Sequence, residues 1–141
     1  MSKRPWLLLF LVACLLMGSL VCVQGVLKRQ AKQRRKLEYQ RTLSDFSGAL
    51  KPGLTRIQVD AYIQQKYPSL RASCCTSESH NSYLELVWIG SEASPWYCSE
   101  SNVYLTFHFE TLGKPLSPPP ASHDADTLKS ITLWNRLQGC L

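Results

Sequence analysis

The order of apolar and polar residues divides the chain into a helical N-terminal part and a C-terminal part that is rich in strands. Residues 7–27 contain no charged side chain. A helix of this length, at about 1.5 Å rise per residue, matches a bilayer core of roughly 30 Å. We therefore predict a transmembrane anchor at 7–27, after a short basic tail at 1–6. A basic juxtamembrane helix at 28–41 and a small domain at 42–141 follow.

Helical spacing continues into the small domain. Its apolar positions recur at intervals of four, three and four residues, which places them on one helical face: Tyr39, Leu43, Phe46 and Leu50. Lys51-Pro52-Gly53 then breaks the helix. Thr55, with Gln58 three residues later, forms a capping box that predicts a second helix at 56–66.

The remaining sequence changes to the period of β-strands. Residues 83–89 are β-branched and aromatic, residues 103–109 alternate between apolar and polar side chains, and residues 128–137 form a third candidate strand. Residues 71–82, rich in Ser, Cys and Asn, and 113–120, rich in Pro, are predicted to be loops. The predicted fold is therefore α+β: an N-terminal transmembrane helix, then two helices packed on a three-stranded antiparallel sheet.

The start of the second predicted helix resembles a known family. Gly53, Thr55 and Val59 match the glycine, threonine and valine at the helix entry of the small outer-membrane assembly lipoproteins, the BamE/SmpA-like family. That family also places two helices before a three-stranded antiparallel sheet. The chain departs from the family where Tyr67-Pro68 replaces a glycine-proline pair, and it has no well-placed lipidation motif. The resemblance implies this fold more than a role in outer-membrane assembly.

Two other interpretations of the apolar segment compete with an anchor. A cleaved signal peptide has a shorter apolar core and a small-x-small exit, which Val26-Leu27-Lys28 does not provide. The sequence at 11–14, LVAC, resembles a lipobox and would make Cys14 a lipidated N-terminus, but the uncharged residues continue after this cysteine. The favoured prediction is a single-pass membrane protein.

The distribution of charge bears on the partners. The net charge is +6, yet from Thr42 onward the chain has seven basic and nine acidic residues. A nucleic-acid binder is expected to carry its basic residues on the folded domain, so we predict no nucleic-acid partner. The basic residues that follow the apolar segment instead predict contact with membrane lipid: Lys28, Arg29, Lys32, Arg34, Arg35 and Lys36.

The cysteines and the basic segment give conflicting indications of the side of the membrane on which the small domain lies. The positive-inside rule would keep the small domain in the cytoplasm, whereas its four cysteines suggest disulfides and a position outside it, which we favour. The candidates are Cys74, Cys75, Cys98 and Cys140. A bridge between adjacent cysteines is strained, so we expect Cys98 and Cys140 each to pair with Cys74 or Cys75.

The same cysteines could serve two other kinds of chemistry. A metal site using His80 or His108 is disfavoured, because no Cys-x2-4-Cys pair is present. Cys98 could be a nucleophile with either histidine as base, but it lies in an aromatic context that suits packing. We therefore predict no enzyme activity, no cofactor and no small-molecule substrate.

Aromatic residues supply the remaining functional candidate. Trp88, Trp96, Tyr97, Tyr104 and Trp134 are a large number for so small a domain; they form either the core or an exposed patch that binds a protein or glycan. The scattered acidic residues are interpreted as solvated surface: 78, 85, 92, 100, 110, 124 and 126. We predict a membrane-anchored module of the cell envelope with a structural or protein-interaction role, whose partner is another envelope protein. The alternative is a cysteine- or metal-dependent enzyme or ligand-binding domain.

Overall fold

The structure, a computed structural model, describes residues 4–79, 81–111 and 123–141. The loop predicted at 113–120 and the candidate His80 lie outside this part. The side chains at 4–5, 7–9, 11, 13, 21, 74 and 77 also lie outside it.

The N-terminal third of the chain forms one long helix. Helix α1 runs over Arg4–Ala49, a length of 46 residues, without a break between the apolar and the basic segments. Among the described residues, no helix combines the length and the apolar character that crossing a membrane requires. The predicted anchor at 7–27 and the single-pass membrane localisation are therefore wrong. The prediction of a basic helix at 28–41 agrees with the structure, since α1 continues through these residues to Ala49.

The described chain divides into two compact units, with the boundary between Glu38 and Tyr39. In the second unit, the end of α1 buries Phe46, and Leu50 directly after the helix is also buried, as its spacing predicted. Helix α2 spans Arg56–Lys66. The backbone N–H of Thr55 donates to Oε1 of Gln58 at 2.9 Å, so the predicted capping box is confirmed.

In the described residues, four strands form one antiparallel sheet in the order β1-β2-β3-β4. The strands are β1 (Ala72–Ser79), β2 (Ser82–Glu92), β3 (Cys98–Glu110) and β4 (Thr127–Cys140). The predicted three-stranded sheet is therefore wrong: residues 71–82, expected as a loop, contain β1. This strand lies at the edge of the sheet and is built from small polar residues. Its backbone pairing with β2 therefore forms without the apolar alternation that marks a strand in sequence.

The inner face of the sheet carries the core. Val87 on β2 and Leu105, Phe107 and Phe109 on β3 are buried, in the alternation expected for 103–109. They form one cluster with residues on or directly after the helices: Phe46, Leu50, Val59 and Ile63. The rings of Phe46 and Phe107 meet edge-on with centroids 5.8 Å apart. The helices therefore cover this inner face.

Candidate functional site

Three aromatic residues lie side by side on the opposite, outer face of the sheet. The strand register places Trp88 of β2 opposite Tyr104 of β3, and Tyr104 opposite Trp134 of β4. Side chains alternate between the two faces of a strand, so these three point away from the core residues Val87 and Leu105. Trp88 is 53% exposed, Trp134 is 36% exposed and Tyr104 is half-buried. We call these three residues the outer aromatic row.

Neighbouring side chains hold the outer aromatic row in place. The Nε1–H of Trp88 donates to Oδ1 of Asn102 at 3.2 Å. The rings of Tyr104 and Trp134 lie 6.5 Å apart between centroids, at an angle of 43°. The guanidinium of Arg136 lies 5.7 Å from the centroid of Trp134, within the range of a cation–π contact. The row therefore presents apolar rings whose orientation is already set.

The other two aromatic candidates lie elsewhere. Trp96 and Tyr97 precede β3 in its connection to β2, with ring centroids 5.8 Å apart in an edge-to-face contact. Trp96 is exposed, so the first of the two alternatives, a place in the core, does not hold for it. Of the five aromatic residues singled out by sequence, the sheet register joins three into one surface.

His108 occupies the polar end of the outer face. Its Nδ1 lies 3.2 Å from Oε2 of Glu78, and its Nε2 lies 3.0 Å from Oγ1 of Thr132. Both ring nitrogens therefore have partners among the described residues, and neither partner is a cysteine. The pairing of this histidine with Cys98, which the sequence disfavoured, does not form.

The sheet joins Cys98 directly to Cys140. These residues lie opposite one another at the ends of β3 and β4, with Cα atoms 3.9 Å apart, and form a disulfide. The expected pairing of each with Cys74 or Cys75 is therefore wrong. That expectation ended the last strand at residue 137, whereas β4 continues to Cys140. Gly139 lies before it at a φ of +59°, where an added Cβ would meet the side chain of Ser99.

The remaining cysteines differ in state. Cys75 is also disulfide-bonded, and the side chain of Cys74 lies outside the described part. Cys14 and Cys22 on α1 are free and exposed. Across the described residues, no group of three or more His, Cys, Asp or Glu side chains could hold a metal ion.

A charged cluster on the inner face was not predicted from sequence. Arg56 at the start of α2 donates from Nε and Nη2 to both carboxylate oxygens of Glu85, at 3.1 and 3.2 Å. Its Nη2 also lies 3.4 Å from Oδ2 of Asp60. The interpretation of Glu85 and Asp126 as solvated is wrong, since both are buried. The sequence carried a signal, because Glu85 is the one charged residue within the apolar stretch 83–89.

Burial raises the pKa of three groups in and beside this cluster. It raises the pKa of the Glu85 carboxyl, and the hydrogen bond from Arg56 partly offsets this. Burial also raises the pKa of Asp60, against the opposing effect of Arg56. Burial, together with a 3.0 Å hydrogen bond from its hydroxyl to Oδ2 of Asp126, raises the pKa of Tyr83. The hydrogen bonds from Arg56 to Glu85 fasten the start of α2 to the sheet.

The six basic residues predicted to contact lipid all lie exposed on α1: Lys28, Arg29, Lys32, Arg34, Arg35 and Lys36. Their contact with membrane lipid stays a prediction. No family model, no curated protein and no solved structure matches the chain, so the resemblance to the BamE/SmpA-like family also stays a prediction.

Proposed function

We propose that the second unit is a non-catalytic protein-interaction module of the cell envelope, which binds a partner protein through the outer aromatic row. The observation that carries the proposal is the alignment of Trp88, Tyr104 and Trp134 across three strands, with both tryptophans exposed. Tryptophan, tyrosine and arginine are enriched among the few residues that supply most of the binding free energy in protein interfaces. Arg136, beside Trp134, adds the third of these residue types.

The rigidity of the surface supports this role. The row lies on paired strands rather than on a loop, and Asn102 and Arg136 contact its two tryptophans. A partner that binds there orders few side chains, which lowers the entropic cost of association. The sheet therefore offers a surface suited to a protein that also has a rigid, apolar contact region.

The disulfide supports a location in an oxidising compartment. Bridges such as Cys98–Cys140 persist in the periplasm and on secreted or surface-exposed domains, and are rare in the cytosol. This is the basis for placing the module in the cell envelope.

The alternative of a cysteine- or metal-dependent enzyme gains no support from the described residues. The sulfur of Cys98 is bound to that of Cys140 and is not available as a thiolate nucleophile. His108 is engaged by Glu78 and Thr132 on the outer face. The geometry therefore favours the interaction role.

Site-specific photo-crosslinking in cells that make the protein tests the proposal. A photoreactive amino acid would replace Trp88 or Trp134 in the full chain, with Ile57 as the control position. Ile57 lies on α2 and is 55% exposed, which closely matches Trp88. We expect a discrete protein adduct from positions 88 and 134 and none from position 57. We also expect Trp134→Ala to reduce the adduct formed at position 88. Equal labelling at all three positions, or no protein adduct at 88 and 134, would contradict the proposal.

A further inference from the structure

A second surface lies between α2 and the β1 edge of the sheet. It is a groove of about 410 Å³, a volume within the range of pockets that bind ligands. Helix α2 contributes Asp60, Ile63 and Gln64, the connection to the sheet contributes Leu70 and Arg71, and β1 contributes Ala72. The paired side chains of Arg56 and Glu85 also line it. We call this surface the α2–β1 groove.

The strand beside the groove has an open edge. β1 is the first strand of the sheet order, and no described residue pairs with its free side. Edge strands are usually protected by charged side chains, proline, β-bulges or a covering segment. Residues 72–79 contain no Lys, Arg or Pro, and Glu78 is their one charged residue. Register shifts follow Ser73 and Ser77, so the pairing of β1 with β2 is regular only on either side of these shifts.

The other edge of the sheet is better protected. The start of β4 is covered, because the N–H of Gly53 donates to the carbonyl of Leu128 and the N–H of Leu128 donates to the carbonyl of Leu54, each at 2.8 Å. β4 also carries Lys129 and Arg136. Of the two edges, β1 is therefore the one suited to accept a further strand.

The charges of the groove indicate which segment it would accept. Arg56 is committed to Glu85 and Asp60. Arg71 is exposed and has no acidic partner among the described residues. A carboxylate on an incoming segment would pair with it, while Ile63 and Leu70 offer apolar contact.

We propose that the α2–β1 groove binds an extended segment of a partner protein that adds to β1 as a further strand. The segment places an apolar side chain against Ile63 and Leu70 and a carboxylate beside Arg71. Strand addition of this kind obtains affinity from backbone hydrogen bonds and specificity from the pocket beside the strand. The proposal shares the interaction role proposed above but uses a different surface, so each can fail alone.

Selection from a random octapeptide library displayed on phage, with the full chain immobilised, provides the probe. We expect enrichment of peptides that combine Asp or Glu with a large apolar residue. Synthetic copies would then be titrated by fluorescence anisotropy. We expect Arg71→Glu to weaken binding at least tenfold. The control Arg41→Glu, which changes another exposed arginine outside the groove, leaves binding unchanged.

Hydrogen exchange locates the bound peptide. We expect the amides of β1 to exchange at least fivefold more slowly in the complex, with those of β4 unchanged. Absence of enrichment, equal binding by the Arg71→Glu variant, or protection of β4 instead of β1 would overturn the proposal. If Trp134→Ala rather than Arg71→Glu abolished binding, the peptide would occupy the outer aromatic row. That result would overturn the groove and leave the interaction role standing.

Discussion

Both faces of the sheet carry large aromatic side chains, yet these side chains differ in burial between the two faces. Val87 and Trp88 are adjacent on β2, and the first is buried while the second is 53% exposed. A smaller contrast separates Phe107, which is buried, from Tyr104, which is half-buried, on β3. The helices cover the inner face through Phe46 and Ile63, so burial depends on which face has a partner element and not on residue type alone. Large apolar side chains left on the uncovered face are candidates for binding.

Truncating an aromatic residue on the inner face is expected to have the largest effect on stability. Phe107→Ala removes a ring that is 1% exposed and contacts Phe46. We expect the free energy of unfolding to fall by about 3–5 kcal/mol, because the cavity cannot refill completely. Urea unfolding followed by circular dichroism measures the loss. Phe107→Leu is the control and should cost clearly less, since it keeps most of the buried volume. Equal losses from both variants would contradict a packing origin.

The second prediction concerns the bridge that joins the ends of β3 and β4. Replacing Cys98 and Cys140 with serine releases a constraint across a sequence separation of 42 residues. We expect the free energy of unfolding to decrease by about 2–4 kcal/mol, because the unfolded chain gains freedom. The measurement is urea unfolding without reductant. The double replacement of Cys14 and Cys22, which are free and exposed, is the control and should change little. An equally stable Cys98→Ser/Cys140→Ser variant would show that strand pairing alone fixes these ends.

Part of the fold was predictable because local patterns and tertiary structure agree. The alternation at 103–109 identified the inner face, and Thr55 with Gln58 marked the start of α2. Strand β1 was missed, since its pairing with β2 comes from backbone hydrogen bonds that its small polar side chains do not reveal. The anchor at 7–27 was predicted from the absence of charge alone, and the described residues contain no helix that meets the requirement for crossing a membrane.

The candidate site was predictable in composition but not in arrangement. The sequence singled out Trp88, Tyr104 and Trp134, but only the register of three strands shows that they adjoin. The ion pair of Arg56 with Glu85 joins residues 29 positions apart, and no local pattern indicates such a contact. Pairing across the sheet likewise decided that Cys98 bonds to Cys140.

The third prediction tests Glu85, the charged residue buried on the inner face, through pH. Because burial raises its pKa above the ordinary 4.5, the folded state binds this proton more tightly than the unfolded chain does. Its contribution to stability is thus fully present below pH 4.5 and is lost as the pH rises through the folded-state pKa. Asp60 contributes with the same sign, since burial also raises its pKa.

Urea unfolding across this pH range compares the wild type with Glu85→Gln. We expect a smaller loss of stability with rising pH in the variant, because glutamine keeps the shape of Glu85 but does not ionise. Asp60→Asn measures the share of the second carboxyl. An unchanged slope in Glu85→Gln would mean that the attraction of Arg56 cancels the effect of burial, and a larger loss of stability with rising pH would mean that it outweighs burial.

The smallest effect is expected on the outer face. Trp88→Ala removes a side chain that is half exposed and whose hydrogen bond to Asn102 lies at the surface. We expect the free energy of unfolding of the full chain to change by about 1 kcal/mol or less, far below the effect of Phe107→Ala.

Measuring the unfolding of the wild type and of Trp88→Ala at several protein concentrations distinguishes folding from self-association. A large loss that grows with concentration would mean that Trp88 is buried in an assembly of this chain with itself, whereas a large loss at every concentration would place it in the core. A small loss at all concentrations would show that the Trp88 indole contributes little to folding or to self-association. Its apolar surface would then still be exposed to water, and burying it against a different protein would contribute binding free energy.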